Sequence, residues 1–370
     1  MSKTKLRIIH ETNPKKYFPA LYELANDGTL ELVGTHRYSV LKEWMRSWLR
    51  DKTDFQTRTL NSDFQTRTLN ALGDLLMRFK VPFLKGETIV IGFAPWDWRL
   101  LIYRGLAKKN SILYQTSWHD WRLNSTPRQP KPEWFKRYLQ KQWHAFVRHP
   151  NVKVIAVTPV VAETVKQETG INATVIPHAV PEVFFAAGRA RMPHNEKHLK
   201  LLYVGEISEK KGIKLLLELA TKLNNNLTLT VVGNGPLANE VQNSSSNVTY
   251  LGPIYDREKL AKVMAEHDVL MLLSQRTPTW EELFGIVIVE AIAAGCAVIA
   301  SDHIGPKGIL GNQSNTGLVE EGNEQAIKDY LNSFIKDSQA LAGLKVRQNV
   351  AKNYSTQSIK NNWFKAIQTI

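Results

Sequence analysis

The stretch TWEELFGIVIVEAIAAGCAVIAS, residues 279–301, places a glutamate, Glu290, in the middle of an apolar helical pattern. If residues 286–295 are helical, the positions three and four residues away share the face of Glu290. All of them are apolar: Ile286, Val287, Ala293 and Ala294. A carboxylate buried without partners is costly, so Glu290 must take up a proton, find donors elsewhere in the fold, or face a cavity that a polar ligand fills. The third possibility makes residues 279–301 a candidate ligand site.

Short aliphatic and β-branched segments alternate with helical patterns along most of the chain. The first series of such segments comprises residues 6–10, 88–95, 111–116, 152–157 and 173–177. The second comprises residues 198–205, 227–233, 247–252, 269–273 and 297–301. Two series of alternating strands and helices predict an α/β protein with two Rossmann-like parallel-sheet domains.

Polar composition and capping residues suggest the domain boundaries. The loop-like stretch AAGRARMPHNEK predicts a linker at 186–198 between a first domain, 1–185, and a second domain, 199–354. Ser355 or Thr356 can cap a terminal helix over 355–370, which we expect to pack back toward the first domain.

Composition bounds the class of protein. The 370 residues are 43% hydrophobic and 22% charged, which is typical of a globular protein of about two domains. No apolar run approaches the roughly 20 residues that span a bilayer, and no signal-peptide core follows the first residues, so we expect a cytoplasmic protein. The single cysteine, Cys296, rules out an intrachain disulfide and a multi-cysteine zinc site, and its apolar neighbours predict burial.

The excess of positive over negative charge is confined to the first half of the chain. Residues 1–200 hold 32 basic and 17 acidic residues, whereas 201–370 hold 16 and 17. Such a field favours an anionic partner. Some of the tryptophans of the same half would, with the cations, suit a nucleic-acid groove: Trp118, Trp121, Trp134 and Trp143. No nucleic-acid motif accompanies them, so nucleic acid is the less favoured partner.

A tandem copy, DFQTRTLN, occurs at 54–61 and again at 63–70. An offset of nine residues is about 2.5 helical turns, so in one continuous helix the two copies would face opposite sides. A duplicated surface loop is the simpler interpretation, and an acceptor-binding loop is the alternative.

Two glycine-containing loops in the second half suit anion binding. In LLYVGEISEKKGIKLLLEL a strand ends at Gly205, and Lys210 and Lys211 precede a glycine that opens a helix. Free backbone N–H groups and the helix dipole would add to the lysine charge there. In VVGNGPL, Gly233 permits a tight turn close to a ligand.

The stretch at 279–301 makes the set of motifs in the second half specific to one family. Glu282-x-Phe284-Gly285, four residues, then Glu290-Ala291 resembles the E-x7-E motif of retaining glycosyltransferases of family 4, the group 1 type, which have the GT-B fold. The glycine loops at 205–212 and 233–236 and the VIPHAV segment at 175–180 follow in the order that this family uses. The resemblance covers nearly all of residues 150–320 and implies two Rossmann-like domains facing across a cleft.

The resemblance also implies residue roles. Glu290 would bind the ribose hydroxyls of a nucleotide-diphosphate sugar, and Glu282 would bind the sugar. The backbone N–H groups of Phe284, Gly285, Ile286 and Val287 would receive the sugar and diphosphate, and Lys211 would neutralise the departing diphosphate. His119, in SWHDW after a predicted strand, either lies near the reacting centre, as in the family, or is structural.

Three positions depart from the family pattern. Glu206 stands where an arginine usually follows the first glycine of the phosphate loop; either Lys210 compensates for its charge or Glu206 turns outward. His178-Ala179 replaces the usual Asn-Gly, and Lys307 stands where a glutamate often occurs. These differences concern the identity of the donor more than the class of reaction.

The resemblance implies transfer of a hexosyl group to a hydroxyl acceptor with retention, the acceptor being a lipid-linked saccharide or a polysaccharide precursor. No Asp-x-Asp pair occurs, so we expect no metal and no cofactor, with the nucleotide sugar as donor. The alternatives are a nucleotide-sugar epimerase or phosphorylase on the same fold, a nucleic-acid-binding protein, and a glycosyltransferase-like module without activity.

Two basic segments with tryptophan suggest a membrane surface. Residues 132–150 and 38–50 both predict amphipathic helices with cations beside an apolar stripe, a composition that suits an anionic bilayer interface. The alternative is that both stripes pack on the first domain's sheet. Membrane docking would make the protein peripheral at the inner face of the membrane.

Overall fold

The computed structural model describes most of the chain and divides it into two compact units. Its described residues are 3–11, 14–37, 69, 72–73, 75–122, 130–191, 198–223, 227–277, 280–311, 317–336 and 350–370. The first unit comprises Met1–Pro177 and Lys360–Ile370, and the second comprises His178–Ile359. The duplicated segment up to residue 68 and the predicted helix at 38–50 lie outside the described residues.

The first unit is built on a parallel six-stranded sheet in the order β2-β1-β3-β4-β5-β6. Its strands are β1 (Thr4–His10), β2 (Leu30–Arg37), β3 (Thr88–Gly92), β4 (Ser111–Thr116), β5 (Val152–Ala156) and β6 (Thr174–Val175). Its helices are α1 (Pro14–Tyr17), α2 (Pro19–Asn26), α3 (Leu100–Tyr103), α4 (Glu133–Val147) and α5 (Pro159–Thr169), and residues 75–80 are also helical. Every residue of β3 is buried, which explains the uninterrupted apolar run that predicted it.

The second unit contains another parallel six-stranded sheet, in the order β12-β11-β10-β7-β8-β9. Its strands are β7 (Leu199–Glu206), β8 (Leu227–Asn234), β9 (Val248–Gly252), β10 (Val269–Leu272), β11 (Ala297–Ser301) and β12 (Leu318–Val319). Its helices are α6 (Glu182–Arg189), α7 (Ile213–Lys222), α8 (Ala238–Gln242), α9 (Arg257–Ala265), α10 (Ile286–Ala293), α11 (Ile304–Leu310) and α12 (Glu324–Lys336). The last helix, α13 (Thr356–Gln368), begins in the second unit and continues into the first, which includes Lys360–Ile370. The strand order reverses between β7 and β10, the point where doubly wound sheets bind ligands beyond the carboxyl ends of their strands.

The boundary between the units differs from the one that composition suggested. The division falls between Pro177 and His178, and residues 182–189 of the expected first domain and linker form helix α6. Phe184 of this helix is fully buried in the core of the second unit, so the chain joins that unit before the polar stretch begins. At the other end, Trp363 packs 5.8 Å from Phe18, and Lys360 pairs with Asp27 at 3.1 Å, inside the first unit.

Helix α4 shows what covers one of the two predicted amphipathic stripes. Leu139, Trp143, Phe146 and Val147 are buried in the core of the first unit, where Trp143 packs edge-on against Tyr114 of β4. This stripe packs in the core of the first unit and does not form an exposed membrane-binding face of the helix, which corrects that part of the membrane hypothesis. Among the described residues, no helix is both long and apolar enough to cross a bilayer.

Cys296 is buried, as its apolar neighbours predicted. Burial raises the pKa of its thiol to about 12, so the thiolate that would react or bind metal is disfavoured.

Candidate functional site

The candidate residues of the second unit converge beyond the carboxyl ends of β7 and β10. The loop after β7 carries Lys210 and Lys211, and the segment after β10 leads to Glu282 and helix α10. The two loops are joined directly, because the Gln275 N–H donates to the Lys210 carbonyl at 2.8 Å. The structure therefore brings together residues that are about seventy positions apart in the sequence.

Glycines allow the backbone segments to approach this closely. Gly212 has φ +73°, and a Cβ there would lie 1.8 Å from the Leu273 carbonyl oxygen. Gly233 has φ +146°, and a Cβ there would lie 1.8 Å from the Gly205 carbonyl oxygen. Side chains rarely adopt such φ values, and no side chain fits such gaps, so both positions require glycine. The loops predicted from Gly205 and Gly233 are thus packed against each other.

Lys211 lies between an acid and an aromatic ring. Its Nζ is 2.5 Å from a carboxylate oxygen of Glu282 and 4.6 Å from the centre of the Trp280 ring. Both side chains of the ion pair are largely buried, with 18% and 15% exposed. The cation expected to meet a diphosphate and the acid expected to meet a sugar are therefore in direct contact. No pattern in the sequence indicated that Trp280 would contact this lysine.

Glu206, the unexpected acid of the phosphate loop, has a partner of its own. Its carboxylate pairs with Lys210 at 3.0 Å. About half of the Glu206 side chain is exposed, so the pair is partly screened by water. Lys210 thus offsets the charge of Glu206, and Lys211 is the lysine engaged with Glu282.

Helix α10 begins at Ile286, directly after Gly285, which adopts φ +70° as the N-cap. The first N–H groups of a helix have no acceptor within the helix, and the dipole there favours an anion. Phe284, just before the cap, is 8% exposed and packs edge-on against His178, with ring centres 4.9 Å apart. His178, which stands where the family usually has an asparagine, thus lies beside the backbone N–H groups of Phe284 to Val287 that are expected to bind the sugar and diphosphate.

Glu290 finds a charged partner across the fold. It is 3% exposed, and its carboxylate accepts a hydrogen bond from the Arg257 guanidinium at the start of α9. The Arg257 side chain is 43% exposed and lies 4.7 Å above the Phe184 ring. This contact supplies the donor across the fold that was one of the three possibilities for Glu290. Arg257 had not been singled out, because it lies 33 residues from Glu290.

His303 holds the backbone of Glu282 in place. The Glu282 N–H donates to His303 Nδ1 at 3.0 Å, and the Gly305 N–H donates to the Glu282 carbonyl at 2.9 Å. Since Nδ1 accepts, the neutral ring carries its proton on Nε2, which lies 3.1 Å from the Glu321 carboxylate. Burial, and then the charge of Arg276, lowers the pKa of His303 below its ordinary value of 6.5.

We expect this histidine to make the second unit less stable in mild acid. The unfolded chain takes up a proton near pH 6.5, whereas the folded protein does so only at lower pH, so the stability contribution is lost as pH falls below 6.5. Melting temperatures of the wild type and His303→Asn, measured from about pH 7.5 to about pH 5, should converge in acid. A difference that stays constant over this range would contradict the assignment of a neutral His303.

His119 lies in the first unit, in the loop after β4. It is half-buried, and its ring centre is 5.8 Å from that of Trp118. Lys307, which stands where the family often has a glutamate, pairs with Asp302 at 3.0 Å. The structure thus groups the donor-site candidates of the second unit, while His119 belongs to the other unit.

Residues 185–356 match the sequence model of a family described as glycosyl transferases group 1. This region contains Lys211, Glu282 and Glu290, and it carries the two glycine loops and the E-x7-E motif in the order the resemblance implied. The VIPHAV segment precedes it. Residues 185–356 of the chain are thus related to the group 1 glycosyl transferases. Its two parallel-sheet units have the Rossmann-like architecture of the GT-B fold.

Curated relatives match part of this chain. The phosphatidyl-myo-inositol mannosyltransferase of Mycobacterium tuberculosis is 31% identical over 155 residues, 40% of each chain. An N-acetylgalactosaminyltransferase of Campylobacter jejuni, named for a diacetylbacillosaminyl-diphospho-undecaprenol acceptor, is 28% identical over 144 residues, 37% of each chain. In both cases the match spans less than half of the relative's own length.

Solved structures match the fold over nearly the entire chain. HepE of Anabaena, solved in complex with UDP and glucose, superimposes with a TM-score of 0.65 at 16% identity and covers 99% of this chain and 100% of that one. Sucrose-phosphate synthase of Thermosynechococcus elongatus gives a TM-score of 0.66 at 17% identity, with 99% of each chain covered. At these identities the likeness concerns the fold alone.

Proposed function

We propose that the protein transfers a hexosyl group from a nucleotide-diphosphate sugar to a hydroxyl acceptor, with retention of anomeric configuration and without a metal ion. The observation that carries the proposal is the meeting of Lys211, Glu282 and the start of α10 at the strand-order reversal of the second sheet. An acid for sugar hydroxyls, a cation and a helix N-terminus for a diphosphate are the groups such a donor needs.

Each residue would have one task. The diphosphate would lie against the first turn of α10, where Lys211 offsets the negative charge that grows as the bond to the sugar breaks. Glu282 would accept hydrogen bonds from the sugar hydroxyls. The bond from the sugar carbon to the diphosphate oxygen breaks on the face where the acceptor oxygen bonds, and the acceptor proton passes to the departing diphosphate. Lysine and helix dipole would do what a metal does elsewhere.

Glu290 would receive the two ribose hydroxyls while remaining paired with Arg257. A carboxylate has room for about four hydrogen bonds on its two oxygens, and Arg257 binds Oε1. The arginine would thereby fix the orientation of the Glu290 carboxylate before the nucleotide arrives. Arg257 is thus a positioning residue of the proposed donor site.

A lipid-linked saccharide is the proposed class of acceptor. The names of the Mycobacterium and Campylobacter relatives specify a phosphatidyl-inositol and a diphospho-undecaprenol acceptor, and the solved HepE complex contains UDP. A lipid-linked acceptor would place the protein at the inner face of a membrane as a cytoplasmic, peripheral enzyme. The basic first half of the chain supports an anionic membrane surface as a partner.

A thermal-shift screen with the diphosphates of uridine, guanosine and adenosine and their sugars tests the donor site. A ligand that binds only the folded state raises the melting temperature, and we expect one nucleotide series to do so without divalent metal. Glu290→Gln should weaken binding of that nucleotide about tenfold, because a charged acceptor becomes a neutral amide. Glu258→Gln, the same chemical change at an exposed site on α9, should leave binding unchanged.

Two outcomes would overturn the donor assignment. One is a wild-type protein whose melting temperature ignores every nucleotide tested, and the other is a shift that disappears when divalent metal is chelated. Equal affinity in the wild type and Glu290→Gln would remove Glu290 from the site.

A further inference from the structure

An open groove lies at the amino-terminal edge of the first unit's sheet. It has a volume of about 540 Å³ and is lined by the segments that precede β3, β4 and β5. His119 follows the carboxyl end of β4, so the groove lies at the opposite edge of the sheet from that candidate. Its volume falls within the range of small-molecule sites.

The groove combines an apolar floor with a basic rim. Val81, Leu106 and Phe146 contribute buried apolar surface to its lining. Its rim carries three exposed cations: Arg104, Lys108 and Lys109. No carboxylate is present among the described residues that line it. A ligand that satisfies both parts must have an anionic group next to an apolar chain.

Hydrogen bonds fix the walls of the groove. The Asn110 side-chain amide donates to the carbonyls of Leu84 at 2.9 Å and Leu106 at 3.0 Å, which joins the two apolar walls. The Gly86 N–H also donates to the Lys109 carbonyl at 2.9 Å. Glu87, the nearby acid in the sequence, is paired with Arg7 at 2.6 Å. The groove is therefore preformed, and this acid is already neutralised by another partner.

Two phenylalanines beside the groove face solvent. Phe83, between lining residues Pro82 and Leu84, is 81% exposed, and Phe79 is 69% exposed. Large apolar side chains next to exposed cations suit the boundary between lipid headgroups and acyl chains. Neither a free phosphate nor a nucleic-acid backbone would cover these rings or the apolar floor.

We propose that this groove binds an anionic phospholipid of a bilayer, with the phosphate at Arg104, Lys108 and Lys109 and the start of an acyl chain on the apolar floor. Phe79 and Phe83 enter the interface beside it. The inference deepens the proposed function, on which its biological purpose rests, by naming the surface that meets the membrane. Because the groove lies at the opposite sheet edge from His119, this lipid anchors the protein and is not the acceptor.

Co-sedimentation of the full chain with vesicles tests the groove. Phosphatidylcholine vesicles with and without phosphatidylglycerol are compared for the wild type, for Arg104→Gln/Lys108→Gln/Lys109→Gln, and for Arg137→Gln/Lys141→Gln/Lys166→Gln. The second triple removes the same charge from exposed positions of the first unit that do not line the groove. One cation near an anionic leaflet contributes about fivefold in binding, so the groove triple should bind about a hundredfold more weakly.

The apolar part is tested by Phe83→Ala, with Trp134→Ala, another exposed aromatic of the first unit, as its control. We expect only Phe83→Ala to weaken vesicle binding. Equal losses of vesicle binding in both triple variants would show that the membrane attracts the positive charge of the unit as a whole, and would overturn the proposal that the groove binds the lipid. Competition by inorganic phosphate at equal concentration to the lipid, or binding that ignores phosphatidylglycerol, would overturn it as well.

Melting curves with nucleotide diphosphates separate this inference from the proposed function. The groove triple should keep the nucleotide-induced shift of the wild type, because the donor residues belong to the second unit. Loss of vesicle binding with an intact nucleotide shift supports the groove. A nucleotide shift that is absent in the wild type contradicts the donor site without affecting the vesicle result.

Discussion

Replacing Glu282 with alanine should lower turnover by a hundredfold or more while changing nucleotide affinity by less than about threefold. Removal of one group that stabilises developing charge typically costs 10²–10³ in turnover, and this carboxylate both contacts Lys211 at 2.5 Å and is assigned to the sugar. The measurement is release of nucleoside diphosphate from the sugar nucleotide that gives the largest thermal shift. Binding of the nucleotide itself is measured alongside.

The neighbouring acid provides the control. Glu281 is turned toward Arg276, with 3.5 Å between the charged atoms, so Glu281→Ala removes a carboxylate of the same segment without touching Lys211. We expect this variant to retain most of the turnover. If the two alanine variants lose equal activity, the damage comes from the loop as a whole, and the role of Glu282 in sugar binding fails.

Gly212→Ala should destabilise the second unit by more than about 4 kcal/mol, a loss in the range of the most damaging single substitutions. The new Cβ would lie 1.8 Å from the Leu273 carbonyl oxygen, in a backbone conformation that alanine disfavours. The loop carrying Lys211 would have to move away from β10. Thermal melting and nucleotide binding report on both consequences.

Gly252→Ala separates conformational strain from steric clash. Gly252, in the same unit, has φ +69°, and a Cβ there would meet open space. It should therefore cost only the left-handed strain, about 1–2 kcal/mol. Similar melting temperatures for the two variants would mean that the loops after β7 and β10 are not packed as closely as described.

The parts of the fold that were predictable are those where burial alone dictates the sequence. Strands of a parallel sheet covered on both faces must be apolar throughout, so segments such as 88–92 and 297–301 were evident. Strand β2 was not identified, because it is an edge strand with mixed exposure and contains Gly34. The sequence of helix α4 showed a clear apolar face, but periodicity does not indicate whether a sheet or a lipid bilayer packs against that face.

The candidate site was predictable where its residues are consecutive and not where they meet across the fold. Glu282, Gly285 and Glu290 occur within nine positions, so their spacing was informative. Arg257 meets Glu290 across 33 residues, and His303 meets Glu282 across 21. Nothing in the neighbourhood of an arginine or a histidine indicates which carboxylate or N–H group it will contact after folding.

The contact between Arg257 and Glu290 has a consequence for the protein at rest. A buried carboxylate without a charged partner would lower the stability of the ligand-free protein. Here the charge is matched before any nucleotide arrives, by an arginine whose other side remains in water. Folding of the second unit should therefore proceed without donor, and the free energy of donor binding is left for affinity and orientation instead of for repairing a charge imbalance.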